Sequence, residues 1–313
     1  MWGRRRERKG EKMADKAEIT VVVDNSIDIF LPSSEVAQYP GPGRTSQLWA
    51  EQGLSLWIEV FEGEKSCKIL YDFGRSDQVL FHNAKILGLD LRELDFLVLS
   101  HGHVDHYGSL LKVLRRTGEK CKLMAHPEAT KRTRYVRLKD GSLVGPWRIR
   151  KSVVEEFGPR ICAVAGSSDL GRDVFVSGEI ERKTPFEPGM LNAFMKVEEE
   201  LIHDGIEDDQ SLLIKLAGKG TVVITGCCHA GLVNTLLTAQ KMFPREKIYA
   251  AIGGFHLNSA EEAQLQKTHD YLSQLKIKYI CSMHCTGYHA QKTLMDKFKD
   301  QWIPSTVGAK IIL

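Results

Sequence analysis

The sequence predicts an α/β fold in which two sheets pack face to face with helices outside them. Two observations carry that expectation. Short β-branched, apolar runs come first, helix-patterned segments then interleave with strands, and the alternation is repeated in the second half of the chain. The second observation is a cluster of polar donors where one apolar run ends. Phe96-Leu97-Val98-Leu99 leads into Ser100-His101-Gly102-His103-Val104-Asp105-His106-Tyr107-Gly108. The run is too short for a helix and reads as a buried strand. Alternation puts His101 and His103 on one side of the extended chain, and the turn carries Asp105 and His106 to a second position beside them. Imidazole nitrogen and carboxylate oxygen are the usual ligands of a borderline cation such as zinc, so this stretch reads as half of a two-metal site.

The other elements follow in order. Residues 19–23 form a first strand, ended by the turn chemistry of Asp24-Asn25-Ser26. Tyr39-Pro40-Gly41-Pro42-Gly43 interrupts both helix and strand. Residues 53–61 and 67–71 make a hairpin around Gly63, closed by Asp72-Phe73-Gly74. A helix-like segment, 83–87, leads to the metal-loop strand. After Gly108, apolar Leu110, Leu111, Val113 and Leu114 with Lys112, Arg115 and Arg116 between them predict an amphipathic helix. Residues 121–125 are a strand ending at His126, read as a structural histidine. Residues 128–178 carry the least signal. Their basic run of Lys131, Arg132, Arg134 and Arg137 reads as a solvated face, with phosphate binding as the alternative. Strands at 174–176, 211–216 and 221–225 precede a helix at 231–241, a strand at 247–252 and a helix at 260–275 with His269 on its solvent side. A strand at 279–283, a final helix opened by Cys285-Thr286-Gly287 and a strand at 309–313 complete the chain.

The 313 residues are 42% hydrophobic and 27% charged, as in an ordinary globular protein. Residues 1–16 hold seven basic and three acidic side chains, which leaves 36 basic against 37 acidic in the remainder. A nearly neutral body excludes a general nucleic-acid binder, and residues 1–17 read as a flexible basic leader, with Met13 a candidate start. No apolar stretch approaches the ~20 residues of a membrane span, and no signal-peptide pattern is present. Seven cysteines without a CxxC pair fit a reduced, cytoplasmic setting.

His101-x-His103-x-Asp105-His106 after an apolar strand resembles the signature of the metallo-β-lactamase superfamily. Val23-Asp24-Asn25, Gly53-Leu54-Ser55, Asp72-Phe73-Gly74, Asp209-Gln210, Thr225-Gly226-Cys227-Cys228-His229-Ala230-Gly231, Gly253-Gly254-Phe255-His256-Leu257 and His284-Cys285-Thr286-Gly287 are similar to one branch of it. That branch contains the 7,8-dihydropterin-6-methyl-4-(β-D-ribofuranosyl)aminobenzene-5′-phosphate synthases. The resemblance covers residues 18–313 and implies a four-layer αββα metallo-β-lactamase sandwich. It also implies that Asp72 orients the metal loop and that His284 binds the second metal.

The chain departs from the pattern in three places. Thr225-Gly226-Cys227-Cys228-His229 stands where much of the superfamily has Thr-Gly-Asp, so His229 is the candidate replacement ligand and Cys227 a weaker one. Gln52 stands where the branch has a histidine. The histidine common before the second hairpin is missing; Asp209, Gln210 and the more distant His203 stay open as substitutes.

The resulting expectation assigns His101, His103 and His229 to one metal and Asp105, His106 and His284 to the other. The cofactors are two divalent ions, zinc first, with Mn, Fe or Mg left open. Asp105 and His256 are the catalytic candidates, His256 as proton donor. Arg182, Asn25, Thr286 and Gly287 are the candidate holders of a phosphorylated small-molecule substrate, Arg182 through its guanidinium fork. By resemblance the enzyme joins a dihydropterin methyl diphosphate to ribofuranosyl-aminobenzene 5′-phosphate with release of diphosphate. A phosphodiesterase-like hydrolase is the alternative, and a metal-bound ligand sensor without turnover is the reading of another class.

Overall fold

The computed structural model describes residues 13–313. Its strands in chain order are β1 (Lys16–Val23), β2 (Ala37–Gln38), β3 (Ser55–Glu62), β4 (Lys65–Tyr71), β5 (Phe96–Val98), β6 (Lys122–Ala125), β7 (Thr133–Arg137), β8 (Leu143–Trp147) and β9 (Ile161–Ala163). They continue with β10 (Ser168–Gly171), β11 (Val174–Val176), β12 (Ala193–Val197), β13 (Glu200–His203), β14 (Leu212–Leu216), β15 (Gly220–Thr225), β16 (Ile248–Gly254), β17 (Tyr279–Met283) and β18 (Lys310–Ile312). One sheet has the order β2-β18-β1-β3-β4-β5-β6-β9 and a second the order β10-β11-β14-β15-β16-β17.

Period-2 alternation sorts the apolar residues of both sheets into separate layers. Leu56, Ile58 and Val60 of β3 point to the space between the sheets, where they meet Ile214, Val222 and Ile224 from the other sheet. Trp57 and Leu97 point outward onto Val79, Leu80 and Ala84 of the helix Asp77–Leu87 and onto Val113 and Leu114 of the helix Leu110–Arg116. On the far side, Leu213, Val223 and Ala251 pack against Leu236, Leu265, Leu272 and Leu294 from the helices Leu232–Met242, Glu262–Leu275 and Tyr288–Phe298. Helix, sheet, sheet and helix are therefore the four layers, each burying one apolar face against the next.

Three differences from the sequence expectation have physical causes. The helix expected at 83–87 begins at Asp77, because the Ser76 side chain accepts from the Val79 N–H and caps the first turn. His269 is buried rather than solvent-facing, edge-on to the Phe298 ring, because the last helix covers that side of Glu262–Leu275. Residues before position 18 also belong to the fold: Lys16 and Ala17 lie in β1, and Ala14 is fully buried in the core between the sheets. Residues 1–12 of the expected leader lie outside the described residues. Among the described residues no helix is long and apolar enough to cross a membrane.

A third sheet, β13-β12-β7-β8, takes two strands from the stretch 128–178, where sequence signal was weakest, and two from residues 193–203. It is tied to the metal loop by a buried ion pair. Arg134 of β7 meets Asp204 at 3.1 Å and also pairs with Asp208, and all three side chains are buried. The other oxygen of Asp208 accepts the Gly102 N–H at 2.8 Å. Burial alone would raise the Asp208 carboxyl, but Arg134 and the Gly102 N–H hold it below its ordinary value. A carboxyl held low stabilises the fold above its unfolded pKa of roughly 4, and that contribution is lost as pH falls through the folded value. Arg134→Met should therefore cost about 3–5 kcal/mol at pH 7, because it strands buried carboxylates without their counter-charge. The deficit against wild type should shrink towards pH 3, because Asp208 in the variant, buried without its counter-charge, takes up a proton as pH falls. Denaturant unfolding at the two pH values checks this, and an equal deficit at both contradicts it.

Candidate metal centre

The metal loop hangs from one buried carboxylate. Asp72, at the end of β4 with φ 60°, accepts the Ser100 N–H at 2.7 Å through one oxygen. Its other oxygen accepts the Ser100 hydroxyl at 2.7 Å and the His106 Nδ1–H at 2.6 Å. Ser100 Oγ in turn lies 2.8 Å from His101 Nδ1, whose N–H it accepts. Both rings are thereby set in the tautomer that leaves Nε2 free as a ligand. Two glycines let the loop close. A Cβ on Gly102 would lie 2.7 Å from the Ala129 carbonyl oxygen, and one on Gly108 would lie 2.0 Å from that of Arg75.

His229 arrives from the end of β15. Gly226 allows this strand end to pass the loop, since a Cβ there would meet Ser100 Oγ at 2.1 Å. Asp209 accepts the Ala230 N–H at 2.8 Å, and Arg182 donates to the His229 carbonyl at 2.9 Å. Asp209 thus braces the segment that carries His229, while His203 is exposed on the third sheet, near the Met190 carbonyl.

Three nitrogens now face one another: His101 Nε2 and His103 Nδ1 at 3.0 Å, His229 Nε2 and His101 Nε2 at 3.1 Å, His229 Nε2 and His103 Nδ1 at 3.1 Å. Hydrogen bonds cannot satisfy all three contacts, because an N–H directed at one neighbour is not available to the other. Burial pushes the pKa of His101 and His229 well down and that of His103 to about 3, so the rings are neutral and present lone pairs. A divalent cation fits this set.

Asp105, His106 and His284 form the second group, with their ligand atoms within 4.8 Å of one another. His284 sits at φ 50° after β17. Its backbone N–H donates to Asp24, and its Nδ1 lies 3.0 Å from Asn25 Oδ1. Its Nε2 is buried without a hydrogen-bond partner, 3.5 Å from an Asp105 oxygen. Burial opposes a charge on His284, yet Cys285 and Asp105 raise its pKa to about 9; burial likewise opposes His106, but Asp72 and Asp105 raise it. Burial also opposes ionisation of Asp105, and His106 and His284 hold it well below the carboxylate range. The Asp105 carboxylate and its two ring neighbours thus make a pocket that favours positive charge, which suits a divalent cation.

Further side chains crowd the centre, and the first is Cys227, the weaker ligand candidate of the sequence. Cys227 Sγ is 3.1 Å from His106 Nε2 and within 4.8 Å of donors from both groups. Cys285, read only as a helix start, groups with Cys227 and His284. Gln52 donates to Asp105 at 2.6 Å and is itself held by Arg75 at 2.8 Å, so the departure from the family histidine at this position was the available signal.

The expected substrate holders are placed unevenly. Asn25 and Gly287 line a cavity of about 570 Å³ together with His103, Asp105, His229 and His284. Thr286 is buried, donating to the Met283 carbonyl and accepting from the Phe255 N–H, so its hydroxyl is already engaged. The Arg182 fork grips the backbone carbonyls of His229 and Gly205 instead of opening onto that cavity. His256, at φ 45°, lies with its ring 4.4 Å from that of His229 on the cavity wall. His126 caps the helix Pro127–Lys131, and His289 pairs with Glu262 at the surface.

Residues 49–284 match the family described as the Metallo-beta-lactamase superfamily. The 7,8-dihydropterin-6-methyl-4-(beta-D-ribofuranosyl)-aminobenzene-5′-phosphate synthase of Methanocaldococcus jannaschii is 31% identical over 284 residues, 90% of this chain and 94% of that protein. An uncharacterized protein of the same organism is 26% identical over 249 residues, 78% of this chain and 87% of its own length. A crystal structure described as a metal-dependent hydrolase of the beta-lactamase superfamily superposes with a TM-score of 0.73 at 25% identity, covering 94% of this chain and 98% of its own.

Asp72→Asn keeps a side chain that tolerates the left-handed backbone but removes the charge that orders Ser100 and His106. Metal affinity should fall about 10–100-fold, measured by competition with a chromogenic chelator. An unchanged affinity would contradict the role given to Asp72.

Proposed function

The chain belongs to the metallo-beta-lactamase superfamily, in the branch of the dihydropterin-linked synthase, and is an enzyme; from that premise we propose that it joins two phosphorylated small molecules at a two-metal centre. The substrates are a dihydropterin methyl diphosphate and ribofuranosyl-aminobenzene 5′-phosphate, and diphosphate leaves. The observation that carries this reading is the pair of three-donor groups, His101/His103/His229 and Asp105/His106/His284, that open side by side onto one cavity. Bound there, two divalent ions, zinc first, supply Lewis-acid stabilisation to phosphoryl oxygens.

The remaining work falls to side chains of this chain. A new bond forms between the amine nitrogen and the pterin methylene carbon as the carbon–oxygen bond to diphosphate breaks. His256, on the cavity wall with no side-chain hydrogen bond to the protein among the described residues, takes up the amine proton and delivers it to the departing diphosphate. Gln52 and Arg75 hold Asp105 in its orientation. Asn25 holds His284.

A hydrolytic reading keeps the same centre and is favoured by one observation, the 0.73 superposition on a protein described as a metal-dependent hydrolase. Substrate omission separates the two. Diphosphate release that requires both halves, with the joined product seen by mass spectrometry, supports the synthase; phosphate-ester cleavage in a single substrate supports the hydrolase. His103→Ala should abolish turnover in either case, and a fully active variant would remove the metal mechanism.

A further inference from the structure

The basic run after the first core strands is divided by the fold. Lys131 is paired with Glu128, Arg132 with Asp204, Glu207 and Glu128, and Arg134 with Asp204 and Asp208. Arg137 is left over. Its guanidinium lies 4.0 Å above the Phe194 ring and pairs with no carboxylate among the described residues. Lys267 is in the same condition, 5.4 Å above Phe186, and Lys139 has no ion-pair partner among the described residues either. A cation held over an aromatic face is kept in place without being neutralised, and its N–H donors stay free.

These three cations, from β7, the turn after it and the helix Glu262–Leu275, line one cavity of about 900 Å³. Its wall also holds two acids. Glu187 is turned away, its oxygens accepting from Thr184, Val233 and Asn234, and Glu261 stands at the helix start. The cavity shares Leu138, Met190, His229 and His256 with the one that opens onto the metal ligands. Each of the two has a volume that suits a small organic molecule, about 300–1,000 Å³ being usual. Cleavage of one small ester requires one such space, and condensation requires two.

We propose that this second cavity is the acceptor subsite, taking an aromatic phosphate monoester with its phosphate among Arg137, Lys139 and Lys267 and its ring against Phe194, Phe186 and Leu257. The other end of the molecule then reaches His256 and the metal cavity. The assignment rests on the condensation reading for its role, but its ligand chemistry is tested without turnover.

The probe is phenyl phosphate, titrated calorimetrically, after metal removal by chelation, into the full-length chain and in parallel into the His103→Ala chain, so that phosphate binding by metals is absent. Saturable binding is expected in both, at least tenfold weaker in Arg137→Ala and in Lys267→Ala, partly restored by Arg137→Lys, and unchanged in Arg115→Ala, a remote surface control. Inorganic phosphate should bind at least tenfold more weakly, since it lacks the ring. No saturable binding, binding indifferent to Arg137 and Lys267, or inorganic phosphate bound as tightly as phenyl phosphate would each overturn the subsite. The condensation reading has its own readout: joined product formed by the metal-loaded wild type stands even if phenyl phosphate fails to bind, and its absence leaves the binding result intact.

Discussion

One buried carboxylate sets the geometry on which the centre depends. Asp72 leaves the core sheet in a left-handed conformation and accepts three hydrogen bonds from the loop that follows the neighbouring strand. Through Ser100 and His106 it fixes ring tautomers in both donor groups, because the same serine hydroxyl also receives His101. Both groups are therefore oriented from a single point. The cost of burying this charge is offset by three donors and complete exclusion of water, which makes the arrangement stiff as well as specific.

The remaining donors reach the loop along strand ends that the sandwich brings to one edge. β15 delivers His229 and Cys227, β16 delivers His256, and β17 delivers His284. His256 and His284 sit at positive φ, as do Asp72 and Cys228 beside the donors. Non-glycine residues in that region are uncommon and cluster where a site demands a particular direction of the side chain. The strain is supported by the cores on both sides of the sheets. The third sheet then closes the site from outside, anchored through Arg134 and Asp208 to Gly102, so the wall of the cavity and the metal loop are mechanically one piece.

Much of this was legible in the sequence wherever the signal was local. Four metal-ligating residues within six positions after an apolar run define the metal loop without reference to anything distant. Most strands of the two large sheets are legible because both faces are apolar or alternate; the short edge strands β2, β9 and β10 were not read. The third sheet was not, because its strands are half-exposed and carry charges whose partners, Asp204 and Asp208, lie about 70 residues away in sequence; the Asp140-Gly141 turn, a hairpin signal, went unread. Arg182 illustrates a different limit. Its fork suits phosphate by chemistry, but the fold assigns it to two backbone carbonyls, and Arg137, read as part of a solvated face, is the cation left open. Cys285 and Gln52 likewise acquire meaning only from contacts across the centre.

The central claim is a pair of cations held between imidazoles from distant strands. Anomalous X-ray diffraction at the absorption edge of the bound metal, from crystals of the purified protein, tests it most directly. Two peaks about 3.5–4 Å apart are predicted, one enclosed by His101, His103 and His229 and the other by Asp105, His106 and His284. Crystals of protein supplied with divalent ions that show no peak between these side chains would contradict it.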